Sequence, residues 1–303
     1  KKYFDKIKFI EIKQLSNVLT KIKNKKFIID KNTCSYYFEE IISKNNEIIS
    51  FQDPIYNFKA IKNKIELKNI KKAHIHDGVA LTKYLFWLKK NFKNRRITEI
   101  SASDKLLELR KKNKNFKFLS FPTISGTGPN GAIIHYNPNK KSDRRLKKGD
   151  VYLVDSGGQY KLGTTDVTRT VSLKNTNQRV KNIYTRVLKG HIAVANYKLK
   201  KKTTGAIIDK QARKYLNQIG LDYAHGTGHG VGYFLNVHEG PQGISKNNKV
   251  ILKEGMVLSN EPGYYEKNKF GIRIENLIYV NKEKNRRCFK NLTMAPIDRD
   301  LIN

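Results

Sequence analysis

The chain has 303 residues, enough for one large domain or two ordinary ones, with a core that needs no disulfide. Lys and Arg number 61 against 26 Asp and Glu, but they are spread from end to end with no aromatic-interleaved block, so the expectation is a solvated basic surface and no specific nucleic-acid partner. No run approaches the roughly 20 apolar residues of a membrane span, and KKYFDKIKFIEIKQL lacks the apolar block of a signal peptide; with Cys34 and Cys288 far apart, a cytoplasmic protein without membrane attachment is expected.

Residues 1–57 carry short apolar runs, KKFIID and NEIISF, between polar turns, and read as the tail of an α/β layer. The chain begins with Lys rather than Met, which suggests a piece of a longer protein. A helical pattern starts near residue 64: Leu81, Leu85, Leu88 and Phe92 repeat on one face. TEISASDKLLELRKKN predicts a second helix, Val180, Ile183, Val187, His191 and Ala195 mark a third, and Ile208, Ala212, Tyr215 and Ile219 a fourth that Gly220 terminates. Strand-like segments are VYLVD, VTRTVSL, GMVLSNE and FGIRIENLIYV. Helices and antiparallel hairpins without regular βαβ alternation predict an α+β fold.

Two motifs are decoys. GTGPNG, from Gly126 to Gly131, has dinucleotide-loop spacing, but a Pro interrupts it and the strand-like AIIHY follows where a helix is required. It reads instead as a tight loop presenting His135. AHIHD offers His74 and His76 at the start of a helix, where positions two apart face different ways, so no metal is expected there.

The acidic residues carry the chemistry. Asp155 ends VYLV and Asp166 opens VTRTVSL, so a hairpin returns one carboxylate beside the other; Glu261 and Glu275 repeat the arrangement downstream. Adjacent carboxylates repel unless protons or cations neutralise them. In FGIRIENLIYV, alternation places Arg273, Glu275 and Leu277 on one face and Ile272, Ile274 and Ile278 on the other. Between the acidic pairs, YAHGTGHGVGYFLNVHEGP holds His225, His229 and His238 in a glycine-rich loop, which is unlike the helical HExxH zinc motif. Four carboxylates and one imidazole suit manganese, magnesium or a similar hard ion. Their four negative charges balance two divalent ions and leave a bridging hydroxide as the reactive group for hydrolysis.

VDSGGQYKLGTTDVTRT, HGTGHGVGYFLNVHEGP, SNEPGYY and GIRIENL together resemble the pita-bread metallopeptidases. With SFPTISGTGPNGAIIHY and LKGHIAVA, the resemblance from about residue 30 to residue 302 narrows to the cytosolic Xaa-Pro aminopeptidases. It implies that Asp155 holds one ion, that Asp166 and Glu275 bridge both, and that His229 and Glu261 complete the other. It assigns His135, His225 and His238 to the substrate and to the charge developing on the scissile carbonyl, with Arg273 supporting the metal shell. The implied reaction is two-metal removal of the residue preceding proline, with manganese as the expected ion and peptides bearing proline at the second position as substrates.

The resemblance further implies that residues 1–57 are the C-terminal part of a creatinase N-terminal-like domain and that residues 64–303 are the pita-bread catalytic domain. A homodimer is expected in the full-length form. The alternatives are a prolidase-like dipeptidase and a catalytically silent pita-bread binding module.

Overall fold

The computed structural model of the chain describes residue 7, residues 9–93 and residues 95–303. It divides into one unit up to Phe58 and a second from Lys59 to Asn303. The first unit holds helix α1 (Leu15–Thr20), strand β1 (Lys26–Ile29), helix α2 (Tyr36–Ser43) and strand β2 (Glu47–Ser50). β1 and β2 run parallel with Lys26 opposite Glu47, joined through α2, as a parallel pair requires. Helix α3 (Pro54–Ala60) follows.

The second unit opens with α4 (Lys64–Asn91), whose first turn is closed by a reciprocal capping box between Asn63 and Glu66. Thr98 and Ser101 do the same for α5 (Glu99–Lys111). Strands β3 (Phe116–Leu119), β4 (Ile124–Thr127), β5 (Val151–Ser156), β6 (Gly158–Tyr160), β7 (Gly163–Thr164) and β8 (Val167–Ser172) come next. β4, β5 and β8 form an antiparallel sheet in which Asp155 lies between Ile124 and Thr168. The α4 stripe of Leu81, Leu85, Leu88 and Phe92 packs with Leu106 of α5 against Tyr152, Val154 and Val171 of that sheet. The periodicity alone predicted this contact face.

The downstream half repeats the plan. Helices α6 (Gln178–Ala195) and α7 (Gly205–Asn217), with strand β9 (Lys198–Leu199) between them, precede β10 (Gly228–His229), β11 (Gly243–Ile244), β12 (Val257–Asn260), β13 (Gly263–Glu266), β14 (Phe270–Arg273), β15 (Asn276–Glu283) and β16 (Arg286–Asn291). The main sheet has the order β12, β15, β16, β9, all antiparallel. Val194, Ile208 and Ala212 pack with Leu258, Ile278 and Val280 of this sheet. Val180, Ile183 and Val187 pack with Ile272 and Ile274. Each half therefore sets two helices against antiparallel strands, as an α+β reading requires.

Four expectations need correction. FGIRIENLIYV is not one strand: it breaks at Ile274 and Glu275, whose amides bond Pro262 and Thr168 outside either ladder. Arg273 and Glu275 still share the face toward the cavity, whereas Leu277 enters a separate core cluster. AIIHY forms no strand; a 3-10 turn from Gly128 to Ala132 leads into it. On α7 the buried stripe runs through Leu216, while Tyr215 is half-buried and Ile219 is exposed. His74 and His76 lie well inside α4, not at its start.

Candidate metal centre

Asp155 is the penultimate residue of β5, Asp166 directly precedes β8, His229 ends β10, Glu261 follows β12 and Glu275 joins β14 to β15. Strand ends from both halves thus meet at one cavity of about 500 Å³, which all five residues line with His135, His225, His238 and Arg273. β10 reaches β12 because Gly228 has no side chain: a Cβ there would collide with the Ser259 carbonyl oxygen.

Ligand atoms within 4.8 Å of one another fall into three overlapping groups: Asp155, Asp166 and Glu275; His229, Glu261 and Glu275; and Asp166, His229 and His238. Asp166, His229 and Glu275 each belong to two groups. The His229 Nε2 lies 3.4 Å from Asp166 Oδ2 and 3.3 Å from Glu261 Oε1. Its Nδ1 bonds the Gly230 carbonyl at 3.0 Å, which places the proton on Nδ1 and leaves Nε2 as a lone-pair donor.

Hydrogen bonds reach one oxygen on each of three of the carboxylates. Arg273 Nη2 donates to Asp155 Oδ2 at 2.7 Å, Thr168 Oγ1 to Glu275 Oε2 at 2.8 Å, and Ser259 Oγ to Glu261 Oε1 at 2.9 Å. Asp155 Oδ1, Asp166 Oδ1 and Glu275 Oε1 are buried without a partner. Burial, then the charge of Asp155, drives the Asp166 carboxyl well above the usual range; burial, then Asp166, does the same to Glu275. Burial raises Glu261 too, but His229, His225, Arg273 and Ser259 outweigh it and leave its carboxyl lowered. Buried, unpartnered, mutually repelling oxygens around one space fit divalent cations, which would satisfy lone pairs and charge together.

The histidines differ in their tethers. His225 Nδ1 lies 2.7 Å from the Gly226 carbonyl, and its Nε2 lies 2.9 Å from Tyr265 Oη, which in turn accepts from Arg273 Nη1 at 2.6 Å. Arg213 Nη2 holds the His225 carbonyl at 2.7 Å. The His238 ring stands 4.0 Å from that of His229, centroid to centroid. Burial depresses both His225 and His238, which favours neutral rings at neutral pH. His135 lies in the turn after the 3-10 segment.

That turn depends on a residue the sequence reading missed. Glu99, fully buried at the start of α5, accepts from Thr127 N at 2.7 Å, Asn130 Nδ2 at 3.0 Å, Tyr136 Oη at 2.8 Å and Arg144 N at 3.0 Å. Tyr265, Thr168 and Ser259 were also missed as partners of the acidic cluster. The only signal for Tyr265 was its place in SNEPGYY, where it stands opposite Gly271 on β14. The His135 strand expectation failed because Ile133 N and Tyr136 N close local turns on the Asn130 and Ile133 carbonyls, while Glu99 holds the Asn130 and Tyr136 side chains.

Residues 68–282 match metallopeptidase family M24. A probable Xaa-Pro aminopeptidase P of Laccaria bicolor is 46% identical over 97% of this chain and 48% of its own length. Another, of Phaeosphaeria nodorum, is 44% identical over 92% of this chain and 45% of its own. The chain spans about half the length of the curated relatives it matches. Among solved structures, the X-prolyl aminopeptidase of Caenorhabditis elegans, described as a cytosolic enzyme with a di-nuclear active site, superposes with a TM-score of 0.84 at 38% identity over 91% of this chain and 46% of that one. Prolidase from Pyrococcus furiosus gives 0.80 at 28% identity over 96% and 81%. With carboxylates from both halves meeting over a pita-bread arrangement of strands and helices, the chain belongs to metallopeptidase family M24.

Proposed function

We propose that this chain carries the catalytic part of an Xaa-Pro aminopeptidase, with residues 64–303 as the catalytic domain and residues 1–57 as the C-terminal part of a creatinase N-terminal-like domain. The parallel β1–β2 pair supports the latter. The observation that carries the activity is the convergence of Asp155, Asp166, His229, Glu261 and Glu275 with unpartnered oxygens aimed into one cavity. Asp155 would hold one ion, His229 and Glu261 the other, with Asp166 and Glu275 shared. Two divalent ions, with manganese as the proposed metal, would supply an acidified water and polarise the scissile carbonyl.

The chain's own residues do the rest. Arg273 ties Asp155 to Tyr265 and so fixes the ligand's free oxygen toward the cavity. His238, held neutral by burial, can present an N–H to the carbonyl oxygen as charge builds there, while His225, with Nδ1–H on the Gly226 carbonyl and Nε2 on Tyr265 Oη, lines the substrate side of the cavity. His135 binds the peptide from the opposite turn. Phe121, Pro122, Ile134 and Val237 give the cavity an apolar wall. Such a wall suits a proline ring and demands no N–H from the bond to be cut. The two free cysteines, Cys34 and Cys288, support a reducing, cytoplasmic setting, and no helix among the described residues is long and apolar enough to cross a membrane.

The test is incubation of metal-free chain with Arg-Pro-Pro and Arg-Ala-Ala, with and without manganese. Release of Arg from the first peptide only, and only with metal, is expected; equal cleavage of both removes the proline claim. The prolidase likeness favours a second reading as an Xaa-Pro dipeptidase. Cleavage of Arg-Pro in preference to Arg-Pro-Pro would select it.

A further inference from the structure

The cleft does not end at His238. Val237 and His238 also line a second, more open trough of about 540 Å³ whose other walls include Phe118, Ser120, Gln159, Phe234 and Leu235. Phe118 is 59% exposed, Phe234 41% and Leu235 49%, and the two phenyl rings lie 6.1 Å apart. Three large apolar side chains beside a catalytic cleft form a contact surface rather than a scatter of single exposures.

The loop that presents Phe234 and Leu235 is held firmly in an unusual shape, beside Phe118 on β3. Phe234 has φ of 51°, a left-handed conformation that bulky residues rarely adopt. Gly232 N closes the loop onto the Asn236 carbonyl at 2.9 Å, and Gln159 Nε2 holds the Leu235 carbonyl at 2.7 Å. Backbone strain fixed by surrounding hydrogen bonds is found where a side chain must be displayed for use. Here it sets the Phe234 ring beside that of Phe118.

We propose that this trough is a subsite for the peptide beyond the scissile bond, receiving an apolar side chain from the first or second residue after proline. The choice of occupant rests on continuity. An enzyme that removes one N-terminal residue must leave the remainder of its substrate a path out of the cleft, and each extended residue advances that remainder by only about 3.3–3.6 Å. The wall formed by Val237 and His238 belongs to both spaces, so a chain leaving the cleft on that side meets the aromatic pair. The inference rests on the aminopeptidase reading and adds to it a preference at the positions C-terminal to proline.

The experiment uses metal-loaded chain and two tetrapeptide series, Arg-Pro-Xaa-Ala and Arg-Pro-Gly-Xaa, with Xaa as Phe, Leu, Ser or Asp. At one of the two positions kcat/KM should favour Phe over Ser by about tenfold, and the Phe118→Ser/Phe234→Ser double variant should bring that ratio close to one. In parallel, Kd is measured for Arg-Pro-Phe-Phe and Arg-Pro-Ser-Ser analogues made uncleavable by reducing the carbonyl before proline to a methylene. The Phe analogue should bind about tenfold tighter, and only to the unmutated chain. Flat ratios at both positions, or a preference that survives the double variant, overturn the subsite. Absence of turnover with the binding difference intact would instead defeat the aminopeptidase reading and leave the trough standing.

Discussion

Glu99 and the cluster around Asp166 are both buried acidic centres, yet they are built on opposite principles. Around Glu99, backbone and side-chain donors meet both carboxylate oxygens, so the protein itself satisfies the charge and the group acts as a structural pin for the turn carrying His135. Around Asp166, four carboxylates converge while Asp155, Asp166 and Glu275 each keep an oxygen without a partner. A closed centre needs nothing from outside. An open one of this charge calls for cations, and its unpartnered oxygens are the trace of that requirement.

The largest effect is expected from removing a carboxylate proposed to be shared by both ions. Asp166→Ala or Glu275→Ala should drop turnover below about a thousandth of the starting rate and reduce bound metal, measured by initial rates and elemental analysis. Substantial remaining activity with both ions retained would show that neither carboxylate links them. His225→Ala and His238→Ala should each cost about a hundredfold or more in kcat while metal content stays intact. Because His238 shares a ligand-distance group with Asp166 and His229, loss of metal in that variant would move it from the substrate to the metal shell.

Glu99→Ala tests the closed centre. It strands several buried donors at once and should cost about 3 kcal/mol or more, seen as the same drop in melting temperature with or without manganese. A loss confined to the metal-loaded protein would join the two centres functionally. The smallest effect concerns pH. Asp166 and Glu275 are raised by burial and neighbouring carboxylates, so in the metal-free fold they keep protons that the unfolded chain has already released. Their contribution to metal-free stability is therefore full below the unfolded carboxylate range and is lost as pH rises through the folded values. Cations displace those protons, so the rise in melting temperature on adding manganese should grow by a few degrees from mildly acidic to neutral pH. A gain independent of pH would mean that the carboxylates are already ionised in the metal-free fold.

Much of the site could be read from sequence because strand ends carry it. Asp155 and Asp166 flank one hairpin connection, and apolar runs with defined periodicity located both, together with the α4 stripe that supports them. The same periodicity misled at FGIRIENLIYV, which looks continuous. Glu275 N leaves that ladder for the Thr168 carbonyl in the other half of the unit, a long-range bond without a local pattern. AIIHY failed for a related reason: its amides close local turns, and Glu99, far upstream, anchors it through the Tyr136 hydroxyl. The exposed Phe234 gave no warning either: its unusual backbone is imposed by Gln159 and by closure of its own loop, and no run of apolar residues records it.

If the unpartnered oxygens face two cations, the ions can be located directly. Anomalous diffraction from crystals of active, manganese-loaded protein should show two peaks about 3.5–4 Å apart, with Asp166 and Glu275 between them. No anomalous density among Asp155, Asp166, His229, Glu261 and Glu275 in active protein would contradict the account.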